Sequence, residues 1–481
     1  MESTIGSDYT FNLIYQIVRI VAPVFTAPYI ARVIGAEGVG MYAFTYSIAD
    51  YFVLFAMLGI KNYGNRSIAA NYKNRGESSR VFWNIYYVQI AASLLACFVY
   101  LIYGSAVRGE IKAITRLQLF FVLSVFFDID WYFYGKHQFK LIAIRSTIIK
   151  ILSIVFIFLF VKSGNDLHLY TMIMAGGILV SAMALWPSAL KQIDFIKPDR
   201  KRMKESLGPI FILFVPVITV SIYRLMGKIM LGILTDMAQV GYYENAEKII
   251  SVSNGVIVAF GTVMMPRMAY LAANGEKQKI EAYIQKSMEG ILFIVSLLAF
   301  GIVGVAPHFI KVFYGGEFIS CVPLMTGLAI TIPIMGFANV IRTQYLIPMK
   351  KDGVYILSGA MGAVVNLILN LLFIPKYNAI GAVAATVFAE FTVAFIQSFA
   401  VRKELDLTRY IRSGVFFLGA GGVMCVTLRL FSNFVLASPQ MVAIEIILGT
   451  FLFFVLNLFY AFINKESILL HFMKKKGVLP P

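Results

Sequence analysis

Arg224 and Lys228 stand four residues apart inside an otherwise apolar stretch, Pro209 to Lys248. On a helix that spacing puts both cations on one face. Neither has an acid within a turn of it along the chain. A cation at bilayer depth costs roughly 2.5–3.5 kcal/mol on insertion scales, so a remote partner or a ligand must stabilise the pair. The chemistry such a pair offers is anion binding. Arginine grips phosphate oxygens through a two-pronged fork, and lysine acts as a point charge. Arg19, midway along the first apolar run, is a third candidate of the same kind.

Asp50 and Glu390 sit near the middle of their apolar runs. Carboxylates at such depth can take up and release protons, which makes them candidates for ion coupling. For Glu390 the structural alternative is a salt bridge to a cation across the lobes. Other charges have plainer readings. Glu244 precedes Lys248 by four, the favourable order for an intrahelical pair. Arg32 and Arg429 lie at run ends, where long side chains reach for water. Lys150 can pair across to Asp128 or Asp130. Gly381, Ala385 and Ala389 form a close-packing stripe. No catalytic constellation and no metal-ligand spacing stands out. Cys97, Cys321 and Cys425 lie far apart and form no disulfide framework. There is no Gly-Lys-Ser/Thr phosphate loop, so neither enzyme activity nor a bound cofactor is expected.

These residues need elements that hold them at membrane depth, and the composition supplies them. Of 481 residues, 59% are hydrophobic and only 14% charged, with 41 Phe and 26 Tyr. The mean hydropathy is +0.79. A soluble domain would be nearer a quarter charged. Fourteen apolar runs of about 20 residues, long enough to span a bilayer, follow one another. The fold class is therefore an all-α polytopic membrane protein of about 14 transmembrane helices. The net charge of +17 does not point to nucleic acid, because Lys and Arg gather in short connections between apolar runs. They favour the even-numbered connections and the C-terminal tail, which predicts both termini in the cytoplasm. The residues before the first apolar run, with Glu2 and Asp8, lack a basic n-region, so no cleaved signal peptide is expected.

The longest basic connection, Lys191 to Lys204, separates six runs from eight. A faint repeat agrees with that division: Val39-Gly40-Met41-Tyr42 opens the second run and Val240-Gly241-Tyr242-Tyr243 the eighth. The expected organisation is a six-helix lobe over 1–200, a second over 201–402, and two further helices with a tail over 403–481.

Several stretches together resemble one family. They are Pro28 through Gly40, Leu58 through Arg66, Asp128 through Gly135 with Trp131, Lys228 through Gly232, Gly241 through Lys248, Phe313 through Phe318, Gln344 to Pro348, and Ile380-Gly381-Ala382 leading to Glu390. The pattern resembles the Wzx-type polysaccharide repeat-unit flippases. The resemblance implies a MATE-like fold of two pseudo-symmetric bundles around a central cavity. It implies as cargo an undecaprenyl-diphosphate-linked oligosaccharide, moved across a bacterial cytoplasmic membrane for capsule, exopolysaccharide or O-antigen synthesis. Membrane lipids are then partners, and a polysaccharide polymerase and glycosyltransferases are its natural company. With no ATP site, membrane potential or an ion gradient is the expected drive. Within the same fold a lipid II flippase and a cation-coupled drug antiporter are the alternatives; unpaired basic residues suit organic cations poorly.

Overall fold

The computed structural model describes residues 2–463, with side chains for 25–459 except 220, 222, 223 and 413. All regular structure among these residues is helical. The helix Arg75–Ala106 shows why the sequence takes this form. Phe82, Gln89, Ser93 and Tyr100 are buried, while Leu94, Leu95, Phe98 and Leu101 are each more than half exposed. Polar groups inside and apolar groups outside is the arrangement for a protein whose solvent is lipid.

Among the described residues, ten helices are long and apolar enough to cross a membrane, or eleven with the bent helix Arg200–Leu234. The difference from fourteen lies in breaks. The helix Glu2–Met57 runs for 56 residues, which at 1.5 Å per residue would be about 85 Å, against a hydrocarbon core of about 30 Å. Gly35 divides it, with φ 75° and ψ 176°, a conformation that glycine adopts without a Cβ clash. Asn378, with φ 51°, divides Asp352–Val401 in the same way, three residues beyond Pro375. The stretch Ile111–Gly135 is cut into short helices at Gln118 and Asp128. Splitting the two long helices and admitting the segmented stretch restores fourteen apolar crossings.

The chain packs as two compact units, Met1–Gly241 and Tyr242–Pro481. The helix Arg200–Leu234, the first of the expected second lobe, is grouped with the first unit. Within that unit an aromatic core of Phe82, Tyr86, Trp131, Tyr132 and Trp186 fills the space beside the segmented stretch. The two Val-Gly stretches of the sequence repeat also meet there. A Cβ on Gly40 would fall 1.7 Å from the carbonyl oxygen of Met237, and one on Gly241 would fall 2.0 Å from that of Ala36. Only glycine permits backbones to approach so closely. In the second unit, Met424, Leu428 and Phe453 pack the helices Leu407–Ser432 and Pro439–Ile463 onto Lys277–Phe313.

Candidate functional site

Asp50 projects from the helical half over 36–57, and Arg224 from the helix Arg200–Leu234. That second helix bends by 58° between Thr219 and Arg224. Pro216, just ahead of the bend, removes one bond of the helical ladder. Arg224 therefore opens a half-helix. Two glycine contacts hold the helices together on either side of it. A Cβ on Gly59 would fall 2.2 Å from the carbonyl oxygen of Ile210, and one on Gly232 would fall 2.2 Å from the Phe44 ring. Between these contacts, Arg224 Nη2 lies 3.7 Å from Asp50 Oδ2. The remote partner that the sequence required is an acid of the neighbouring helix. Lys228, one turn on, and Lys61 both act electrostatically on the same carboxylate.

Lys61 extends the cluster. Its Nζ meets Asp128 Oδ2 at 3.0 Å, and Arg145 holds both oxygens of Asp130 at 3.0 and 3.2 Å while donating to the Ser181 carbonyl. Both aspartates flank the break at Asp128, which frees backbone carbonyls at membrane depth. Each would be expensive to leave bare. The Gln89 amide donates to Val125 O at 2.6 Å and Asp128 O at 2.9 Å, the Tyr86 hydroxyl to Phe126 O at 3.0 Å, and the Trp186 indole to Phe127 O at 3.1 Å. Trp131 in turn donates to Gln89 Oε1. The break is thus a built feature that presents two carboxylates to Lys61 and Arg145. With all groups ionised, the four cations Arg224, Lys228, Lys61 and Arg145 face three carboxylates, leaving one positive charge in excess.

Arg19 falls on the first helix, but its side chain lies outside the described residues. Glu390 is buried in the second unit, where Arg342, which opens a π-helical turn, is the charge that bears on it. The Glu244–Lys248 pair forms at 3.3 Å. Asp130 takes Arg145 and Asp128 takes Lys61, pairs the sequence reading did not name. Arg429 donates to the Thr326 hydroxyl at 3.3 Å rather than only reaching for water. Gly381 packs directly against the Phe373 backbone, as a close-packing stripe should. Sequence reasoning missed His308 and Glu445, joined at 2.7 Å in the second unit. The signal was available: Glu445 is a lone acid in its apolar run.

The comparisons bear on the same residues. A family model described as polysaccharide biosynthesis protein matches residues 5–272. The chain belongs to that family. As a member of the polysaccharide biosynthesis protein family it is a multi-pass membrane protein, and the matched region contains the whole cluster from Asp50 to Lys228. A candidate O-antigen transporter of Shigella dysenteriae is 21% identical over 394 residues, covering 79% of this chain and 96% of its own. A candidate low-salt glycan biosynthesis flippase, Agl15 of Haloferax volcanii, is 24% identical over 229 residues, covering 48% of each chain. Among solved structures, the inward closed conformation of the lipid II flippase MurJ aligns with a TM-score of 0.72 at 16% identity, covering 94% of this chain and 98% of that one. An inward-facing multidrug resistance MATE family transporter of the MOP superfamily aligns at 0.57 with 12% identity, covering 88% and 99%. The fold of this family member is MATE-like.

Proposed function

We propose that this protein is a flippase that carries undecaprenyl-diphosphate-linked oligosaccharide repeat units from the inner to the outer leaflet of a bacterial cytoplasmic membrane, for capsule, exopolysaccharide or O-antigen synthesis. The observation that carries the reading is the Arg224–Asp50 pair at the bend, flanked by Lys228 and Lys61. A diphosphate brings about two negative charges that hydrocarbon will not accept bare. Arg224 is 60% exposed, so its guanidinium is free to turn. In the resting protein Asp50 serves as its placeholder anion. When the diphosphate arrives, Arg224 exchanges carboxylate for phosphate oxygens in the two-pronged geometry that suits it. Asp50 is then left to Lys228 and Lys61, or to a proton. Arg19 adds a third cation to this site, and the candidate proton carriers are Asp50 and, in the second unit, Glu390.

Both termini lie in the cytoplasm, and the Lys191–Lys204 connection lies with them. The drive is the membrane potential or an ion gradient, with no cofactor. With the inside negative, moving two negative charges outward is favoured by roughly 2 × 2.3 kcal/mol per 100 mV. The names of the relatives support a glycan cargo. A polymerase and glycosyltransferases are its working partners, and the protein itself catalyses no covalent step.

The test is polymer export in cells carrying Arg224→Ala, Arg224→Lys and Lys228→Ala, with surface labelling of cysteines at 191–204 to check orientation. Both alanine variants should export poorly while remaining inserted, and Arg224→Lys should fall well below wild type. Normal export from both alanine variants would remove the pair from the transport path, and labelling of 191–204 from outside would reverse the topology.

A further inference from the structure

A cleft of about 810 Å³ opens in the first unit between the helix Ile60–Asn71, the start of Arg75–Ala106 and the first turns of Arg200–Leu234. It lies where the two most basic connections converge and is separate from the Asp50–Arg224 pair. One wall is apolar: Val81, Ile85, Pro209, Ile212 and Leu213. Ile212 is 72% exposed, and its neighbour Phe211 is also open. The other wall carries Arg66, Tyr63, Ser67 and Asn84 with Arg202 and Glu205.

The charges in the cleft are unevenly satisfied. Arg202 is held by Glu77 and also feels Glu205. Arg66 has no ion pair or hydrogen bond among the described residues. One unsatisfied guanidinium beside hydroxyl and amide donors, facing an apolar wall, is complementary to a single negative charge on an apolar body. We propose that this cleft binds the phosphodiester headgroup of an anionic membrane phospholipid, with an acyl chain along Ile212 and Phe211. Arg66 is the anchor. A lipid there would brace the helix Ile60–Asn71 against the half of Arg200–Leu234 that precedes the bend. A diphosphate cargo fits less well, because the charges lining the cleft, Arg66, Arg202 and Glu205, sum to one positive charge rather than two.

The experiment measures thermal stability of the purified full-length protein in neutral detergent, titrated in turn with phosphatidylglycerol, phosphatidylcholine, undecaprenyl diphosphate and inorganic phosphate. Phosphatidylglycerol should stabilise the wild type at concentrations where phosphatidylcholine and inorganic phosphate do not. Arg66→Gln should weaken that response by about tenfold, the order expected for one charge-assisted contact, and Arg66→Lys should keep part of it. Lys73→Gln, outside the cleft, should respond as wild type. The proposal is overturned if Arg66→Gln keeps the full phosphatidylglycerol response. It is also overturned if Arg66→Gln loses the response to undecaprenyl diphosphate alone, which would place the cleft on the cargo's route. Because Arg66 touches none of the Asp50 cluster, loss of export in Arg224→Ala leaves this result unaffected, and the reverse also holds.

Discussion

In the first unit Asp50 keeps 23% of its side-chain surface and Arg224 keeps 60%, whereas in the second Glu445 is fully enclosed against His308, itself 10% exposed. The separations differ in the same sense, 3.7 Å against 2.7 Å. The first pair is loose, open and crowded by further cations. The second is tight and dry, and it joins the helix Lys277–Phe313 to Pro439–Ile463. Half-exposed ion pairs contribute little to stability and exchange partners readily. A buried pair contributes modestly when intact, yet removing one member strands the other. Under the proposed function the first pair is placed to exchange partners and the second to fasten two helices.

The largest effect should come from breaking the dry pair. Glu445→Ala or His308→Ala should lower unfolding stability by about 3 kcal/mol, because each leaves a buried polar partner without its hydrogen bond. Replacing both with leucine should recover most of the loss. Thermal unfolding of the four proteins checks this, and a single alanine variant as stable as wild type would deny the pair its fastening role. Next comes the scaffold of the cluster. Gln89→Leu strands the Asp128 carbonyl and the Trp131 indole and leaves Val125 O with the Asp128 N–H as its donor, a loss of about 2 kcal/mol. Stability should fall and export with it; unchanged stability would mean that the break at Asp128 holds itself.

Arg224→Ala should sharpen the contrast further. Its loss of stability should stay at about 1 kcal/mol or less, as for a half-exposed pair, while export collapses. A fall as large as that of Glu445→Ala would make Arg224 a fastener too. The smallest effect concerns Glu404, outside the membrane-spanning segments. Its carboxyl accepts from Lys351 Nζ, at 2.6 Å to Oε1, and from the Tyr345 hydroxyl at 2.6 Å, and these bonds hold it below the ordinary carboxylate range. A depressed carboxyl stabilises the fold above its unfolded pKa and loses that contribution as pH falls through its folded one. Wild type should therefore lose slightly more stability than Glu404→Gln between about pH 6 and pH 3. Parallel pH curves for the two would show the contact to be idle.

The membrane class, the fourteen apolar crossings and the cations at Arg224 and Lys228 were legible because hydropathy and helical spacing are local properties. The partner of Arg224 was not. Asp50 and Arg224 are joined only by the packing of two helices through Gly59 and Gly232, and periodicity says nothing about which faces meet. Glu445 was visible as a lone acid in its apolar run, but its pairing with His308, 137 residues away, was hidden for the same reason. The segmented stretch read as one span because its freed carbonyls are satisfied by Gln89, Tyr86 and Trp186 from other helices, and no local rule foretells such caps. The glycines of the two Val-Gly stretches were noticed as a faint repeat, but their contact with each other's backbones became visible only in three dimensions.

The central claim is that Asp50 occupies the place on Arg224 that the cargo's diphosphate takes. Equilibrium binding of undecaprenyl diphosphate to purified wild type, Asp50→Asn, Arg224→Ala and the double variant tests it most directly. Removing the competing carboxylate should tighten binding, and removing the guanidinium should weaken it by about tenfold or more. The double variant should follow Arg224→Ala, since the competitor matters only while the guanidinium is there. Wild-type affinity in Arg224→Ala, or weaker binding in Asp50→Asn, would contradict the exchange.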